Sequence, residues 1–320
     1  MATPAVAAVA VAVLALGSAG CVRAQPAGPA GRPGGPALSQ AAVDLALRTS
    51  PYREEQRTLR RAEDELTRRC MAAQGFGQPA ADAATARDDD PWHPDPEARR
   101  SHGYGFSDPG PSPDDQYPPG LPAAKRQVYA RALTGDPGQR ATLRLSSGPR
   151  FTFATTGCIA RGRVRLYGDV MAAAKVSYVP QEAYNAVRGR IADDAATRRA
   201  LDQWSSCMTK RRLPFASMES ARAAAARRSH DAPPTKGVAP RAEVRIAEAD
   251  AACVLTVDLP GVVDRVGPRY LGELTAQQRR DLNAATKLRL DALKRARVLD
   301  AARPVSTAAR SPSPRSPASP

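Results

Sequence analysis

The sequence predicts a mainly α fold with one small antiparallel β-hairpin, an α+β body tied by disulfides. Three observations predict it. Apolar residues recur every three to four positions through most of the body, the spacing of one helix face. A single pair of segments alternates apolar and polar around a Gly-Pro turn. Four cysteines remain beside Cys21, spread through a chain that opens with an export-like leader.

The leader is the apolar run 5–16, followed by Gly17-Ser18-Ala19-Gly20-Cys21. The run has the length of a signal-peptide core and falls short of the roughly 20 apolar residues that cross a bilayer. Two cleavage readings compete. One cuts before Cys21 and leaves its thiol to carry diacylglycerol, with Ala19-Gly20-Cys21 as the lipobox-like part and Ser18 where a Leu is usual. The other cuts after Val22-Arg23-Ala24 and frees the protein. Residues 1–4 carry no Lys or Arg, so the amino terminus alone supplies the positive charge or the start codon lies upstream. The expected organisation is a signal peptide at 1–20, a lipidated Cys21 with a Pro/Gly-rich tether over 21–37, an α-rich body over 38–300, and a basic, disordered tail over 301–320. The body reads as one unit or as two halves, 38–178 and 179–300.

Taken in order, 38–48 is a short helix ended at Ser50-Pro51. Pro51 suits the first turn of the next helix, with Ser50 as its N-cap. That helix runs over 51–74, with Leu59, Ala62, Leu66, Cys70 and Ala73 on its apolar face and Gly75 as C-cap. A long Pro/Gly/Asp-rich loop follows over 77–123. A short helix covers 123–133. The hairpin pairs 141–145 with 151–153 across 146–149. Thr156-Gly157-Cys158 starts a helix that reaches Tyr167-Gly168. Pro180 opens another, continued over 191–210 with Ala196, Ala200, Trp204 and Cys207 on one face. Residues 221–228 form a basic helix with Arg222, Arg227 and Arg228, a solvated face or a contact with anionic lipid. From 239, Val244, Ala247, Ala251 and Val254 share a helical face until Pro260 and Gly261 break it. The last helix covers 274–298.

Lys and Arg number 47 against 32 Asp and Glu, a net charge of +15. The excess is almost all Arg in an Ala-rich chain, which fits mutational bias as well as selection. For an exported chain it points to anionic envelope polymers, membrane phospholipid or an envelope protein, and away from nucleic acid.

Cys70, Cys158, Cys207 and Cys253 read as two disulfides with three possible connectivities. Cys70–Cys158 with Cys207–Cys253 is favoured, because each Cys-Met helix is then tied to the next cysteine-bearing element. Loops of that length contribute on the order of 4 kcal/mol each in the chain-entropy picture. No two of the four are close enough for a zinc motif of the C-x-x-C kind.

Candidate chemistry is sparse. His93, Asp95 and His102 sit in the acidic loop with Asp88, Asp89 and Asp90, and are the weak candidates for a divalent metal; the expected cofactor is none. His230 follows Ser229 in a polar linker and precedes Asp231, but adjacency in sequence makes no triad. No nucleophile elbow, P-loop or dinucleotide fingerprint is present.

An internal echo is visible. Cys70-Met71 closes one helix and is followed by Gly75-Phe76. Cys207-Met208 closes another and is followed by Leu213-Pro214-Phe215. Together with Gly157-Cys158 leading to Leu166-Tyr167-Gly168, and with Trp204 before Cys207, these residues resemble a loose group of actinobacterial exported proteins and lipoproteins of unknown function, over 52–297. The second exit departs from the group's pattern, which has Gly-Phe or Gly-Tyr there. The resemblance implies an exported, structural framework and carries no catalytic residue. The expected protein is a non-enzymatic envelope lipoprotein at the outer face of the cytoplasmic membrane. The alternatives are an envelope enzyme with an unrecognised site and a secreted metal- or small-ligand-binding protein.

Overall fold

The structure, a computed structural model, describes residues 35–49, 51–77, 90–106, 117–230 and 238–301. The chain divides into two units, 1–34 and 35–320. The signal peptide, Cys21, most of the tether, the Ser50 cap, Asp88, Asp89, Asp231 and the tail from 302 lie outside the described residues.

The second unit is mainly α with one two-stranded antiparallel hairpin, and two disulfides tie its helices. Among the described residues its helices are α1 (Gln40–Leu47), α2 (Pro51–Ala72), α3 (Pro96–His102), α4 (Ala123–Thr134), α5 (Gly157–Tyr167), α6 (Val170–Ala192), α7 (Ala195–Lys210), α8 (Met218–His230), α9 (Arg241–Thr256), α10 (Leu259–Leu271) and α11 (Ala276–Ala301). Strands β1 (Arg140–Arg144) and β2 (Arg150–Ala154) fall between α4 and α5. They pair antiparallel with Thr142 opposite Thr152. No described helix is long and apolar enough to cross a membrane.

Caps set several boundaries. The side chains of Ser39, Asp169 and Asp194 accept first-turn N–H groups of α1, α6 and α7, satisfying donors that the helix leaves open. Thr156 precedes α5 but does not cap it with its side chain. Its Oγ1 instead accepts the Asp136 N–H at 2.9 Å. The junction there, where the end of α4 meets the start of α5, is built from glycine. Gly135 and Gly157 both hold positive φ, +88° and +87°, and a Cβ on Gly157 would stand 2.3 Å from the Gly135 nitrogen. Only two residues without side chains let these backbones meet.

The main apolar cluster gathers α1, α6 to α11 and the hairpin around Trp204, Ile246, Leu259, Leu271 and Leu282. A second cluster joins Leu59 and Ala62 of α2, Leu166 and Tyr167 of α5, Ala172, Ala173 and Val176 of α6, and Ala292, Leu293 and Ala296 of α11. Helices α6 and α11 serve both. Their alanine faces allow close axial approach, which offsets the scarcity of aromatics, at 5% of the chain. A small third cluster holds Met71, Tyr129 and Cys158.

Several expectations are corrected. The stretch 77–123 contains α3, whose start carries Asp95 as N-cap and Pro96 in the first turn. Pro180 does not open a helix but lies inside α6, where neighbouring packing outweighs the missing hydrogen bond. On α2, Ala73 is exposed past the helix end and Met71 is buried. Helix α8 continues through Ser229 and His230, so these residues are not in a linker. The face of α9 is centred on Ile246, Ala247, Asp250 and Val254, and Val244 is only half-buried.

Candidate functional site

Of the acidic loop 77–123 the structure describes 77, 90–106 and 117–123, and residues 90–106 are pinned across α6, α8, α9 and α10. Asp90 is buried. Its Oδ1 accepts the Trp92 N–H at 2.9 Å, and its Oδ2 lies 3.3 Å from His93 Nδ1. His93 Nε2 reaches Asp264 Oδ1 of α10 at 3.4 Å. Burial alone would lower the His93 pKa. The hydrogen bonds to Asp264 and Asp90 outweigh it and hold the pKa at about 9, so the imidazolium bridges two carboxylates at neutral pH. Burial likewise pushes the Asp90 carboxyl up, but His93 overrides it and the net shift is downward. Trp92 meets Tyr184 of α6 edge to face, ring centroids 5.9 Å apart.

Further along the same segment, Tyr104 donates its hydroxyl to Asp250 Oδ2 at 2.8 Å, and Trp204 Nε1–H donates to Asp250 Oδ1 at 3.0 Å. Asp250 is 1% exposed, and burial raises its pKa despite those donors. Glu243 is also fully buried. Its Oε1 accepts the N–H groups of Gly105 and Phe106 at 2.7 and 3.0 Å, and Ser229 donates to Oε2. The guanidinium groups of Arg99 and Arg222 lie over the Tyr104 ring, at 4.2 and 4.8 Å from its centroid. Two buried carboxylates on α9 thus hold the returning loop, their donors coming from three segments: the loop itself, α7 and α8. A buried carboxylate with both oxygens hydrogen-bonded is a stable arrangement; one left bare is not.

These placements decide what the sequence candidates do. His93 joins Asp90 and Asp264. Asp95 is elsewhere, with its carboxylate accepting the Glu97 and Ala98 N–H groups at the start of α3. His102 sits at the end of α3 with its Nδ1 2.8 Å from Ser101 Oγ. The three do not converge, and among the described residues no three His, Cys, Asp or Glu side chains are grouped to hold a metal ion. Arg222 of the basic helix covers aromatic rings, while Arg227 and Arg228 are exposed. Ser229 donates its hydroxyl to Glu243.

The cysteines pair as Cys70–Cys158 and Cys207–Cys253, with Cα atoms 5.5 and 5.8 Å apart, within ordinary disulfide geometry. The first ties the end of α2 to the start of α5. The second ties the end of α7 to the last turns of α9.

Sequence reasoning missed two features. One is the pair of buried acids on α9. The other is a polar cleft of about 140 Å³ bounded by α1, α2, α5 and α6, with Arg48, Tyr52, Glu63, Tyr167, Pro180 and Gln181 in its walls. Tyr167 donates to Glu63 Oε1 at 2.6 Å. Burial and the Glu63 charge raise the Tyr167 pKa, so the phenol stays protonated. Pro180 has no N–H to give the Val176 carbonyl one turn back, and Val176 also lines the cleft. A proline inside a helix that also faces polar groups was the available signal.

Comparison with protein-family models, with curated proteins and with solved structures finds no match to this chain.

Proposed function

We propose that this protein is an exported, lipid-anchored, non-enzymatic binding or structural module of the cell envelope. The observation that carries the reading is the pair of long-range disulfides, spanning 88 and 46 residues of sequence. Such bonds persist in oxidising compartments and are rare in the cytosol. The leader and the cysteine at 21 add an anchor: diacylglycerol on that thiol gives two acyl chains, and two chains hold a protein stably at a bilayer where one does not. The resemblance to actinobacterial exported proteins agrees. The commitments of the buried carboxylates also support a non-catalytic body, since Asp90, Glu243 and Asp250 are each engaged in holding the loop in place. The net charge of +15 fits anionic envelope polymers or an envelope protein as partner.

Intact-mass spectrometry of the natively expressed protein, with fractionation of the cell, tests this reading. The expected product begins at Cys21, carries a diacylglycerol increment, partitions with membranes and resists alkylation at its other cysteines. A cytosolic product with Met1 attached and open thiols overturns it.

The cleft favours a second reading, binding of a small solute. Arg48, which donates to Gln181, and Glu63, which accepts from Tyr167 and lies 3.7 Å from Arg163, place opposite charges in one polar space, which suits a small zwitterion. At about 140 Å³ the cleft is below the ~300–1,000 Å³ of drug-sized ligand sites. A thermal-shift screen with free amino acids and small betaines, repeated with Glu63→Gln, tests it. A midpoint rise lost in E63Q supports it, and no rise at millimolar solute rejects it.

A further inference from the structure

The buried sulfurs of the two disulfides are set in different surroundings, one polar and one apolar, and the difference has chemical consequences. Thiol–disulfide exchange needs an approachable sulfur to attack and a leaving sulfur whose thiolate is tolerated. In both bonds one cysteine is half-buried (Cys70, Cys207) and the other is fully buried (Cys158, Cys253). Attack therefore falls on Cys70 or on Cys207, and the charge develops on Cys158 or on Cys253.

Around Cys158 the chain supplies what a thiolate needs. Gln74 Nε2 lies 2.8 Å from its Sγ, and Arg161 Nη2 lies 3.8 Å away. Cys158 is also the second residue of α5, after Thr156 as N-cap, where open N–H groups and the helix dipole favour negative charge. Gln74, Gly157 and Arg161 line a surface depression of about 370 Å³, so the leaving sulfur's neighbours are within reach of solvent.

Around Cys253 the surroundings are the reverse. It lies in the last turns of α9, toward the helix end that disfavours an anion. It belongs to the main apolar cluster with Ala249, Val254 and Leu259. Lys210 and Arg211 share a surface depression with Cys207 and would draw an anionic thiol toward that bond. They sit on the attacked side, however, and the barrier is set by the buried leaving group.

We infer that Cys70–Cys158 is an exchangeable disulfide that reacts through Cys70 with an external thiol, while Cys207–Cys253 is a permanent staple. In the first step a donor thiolate attacks Cys70 Sγ. A new S–S bond joins donor and Cys70, the Cys70–Cys158 bond breaks, and its electron pair stays on Cys158 as thiolate. In the second step the donor's other thiol attacks the mixed disulfide and releases Cys70, which takes a proton. The dithiol donor is oxidised to its disulfide and the protein bond is reduced, a net transfer of two electrons. Opening it removes the covalent link between the end of α2 and the start of α5 beside the small cluster of Met71, Tyr129 and Cys158.

The test uses the full chain with both disulfides formed. It is exposed to dithiothreitol for graded times, quenched in acid, alkylated and mapped by mass. Cys70–Cys158 is expected to open about tenfold or more ahead of Cys207–Cys253. Glutathione, which cannot complete the second step intramolecularly, is expected to leave its adduct on Cys70. Arg161→Gln is expected to slow that opening severalfold and to leave the Cys207–Cys253 rate unchanged. Equal rates, the reverse order or an adduct on Cys158 overturns the inference. An unchanged rate in R161Q removes Arg161 from it. If R161Q fails to fold, the ranking and the adduct position in the unaltered chain still decide.

Discussion

The helix ends at Cys70-Met71 and at Cys207-Met208 follow one plan in the same register. In each, the residue five beyond the cysteine takes a left-handed conformation, Gly75 at φ +78° and Arg212 at φ +61°. In each, the next N–H bonds back to the methionine carbonyl at 3.0 Å, from Phe76 in α2 and from Leu213 in α7. This is a Schellman-type closure. Both methionines are fully buried. The apparent departure of the second exit is thus a substitution within the same backbone, with Leu213 standing where Phe76 stands and Arg212 where Gly75 stands. The difference lies in strain and in setting. Glycine takes the left-handed state freely, whereas a residue with a Cβ pays about 1–2 kcal/mol. The strained end is the one embedded in the main core, where packing holds it.

The largest expected effect breaks the comparison at the methionines. Met208→Ala removes a side chain from the main cluster, and Met71→Ala removes one from the small satellite. Both should cost about 2–5 kcal/mol, with M208A toward the upper end because its surroundings can collapse less. Urea unfolding of the oxidised proteins measures this, and a larger loss in M71A would contradict it.

Next comes the ionic tether at His93. Its folded pKa of about 9 lies above the ordinary value of 6.5. Its stabilisation is therefore complete below pH 6.5 and is lost as the pH rises through about 9. The stability gap between the unaltered chain and His93→Gln, on the order of 2–3 kcal/mol at pH 6, should close by pH 10. A gap that stays constant with pH would show that packing, not charge, sets the contribution of His93.

The smallest effects sharpen the comparison at the two left-handed positions, and they have opposite signs. Gly75→Ala should destabilise by about 1 kcal/mol, although open space surrounds the position, because the cost is conformational. Arg212→Gly should stabilise by about 0.5 kcal/mol, the relieved strain being partly offset by a freer unfolded chain. Calorimetric midpoints moving in the same direction for both would refute the shared geometry.

Local rules made much of the body legible. The period of Leu59, Ala62 and Leu66 marked α2, and alternation around Gly148-Pro149 placed the hairpin to within a residue or two. Helix α3 escaped notice because it is short and offers no apolar repeat, although Asp95-Pro96 is a start signal. Pro180 misled because the usual preference for a first turn gave way to packing of α6 on both sides. The acids Glu243 and Asp250 interrupt an apolar face in sequence, and no local pattern marks them as buried. They are buried only because Tyr104, Trp204, Ser229 and the backbone at 105 and 106 arrive to satisfy them.

From the sequence alone came the helical body, its hairpin, the helix-ending role of the Cys-Met segments and the expectation of two disulfides. These depend on neighbours within a turn or two, and such interactions are written in short stretches of residues. The tertiary structure closed Cys70–Cys158 and Cys207–Cys253, the pairing favoured among three, buried two carboxylates on α9 and put Arg161 beside the Cys158 sulfur. Those outcomes require groups far apart in the chain to meet, and their energies exist only once the surrounding helices have excluded water.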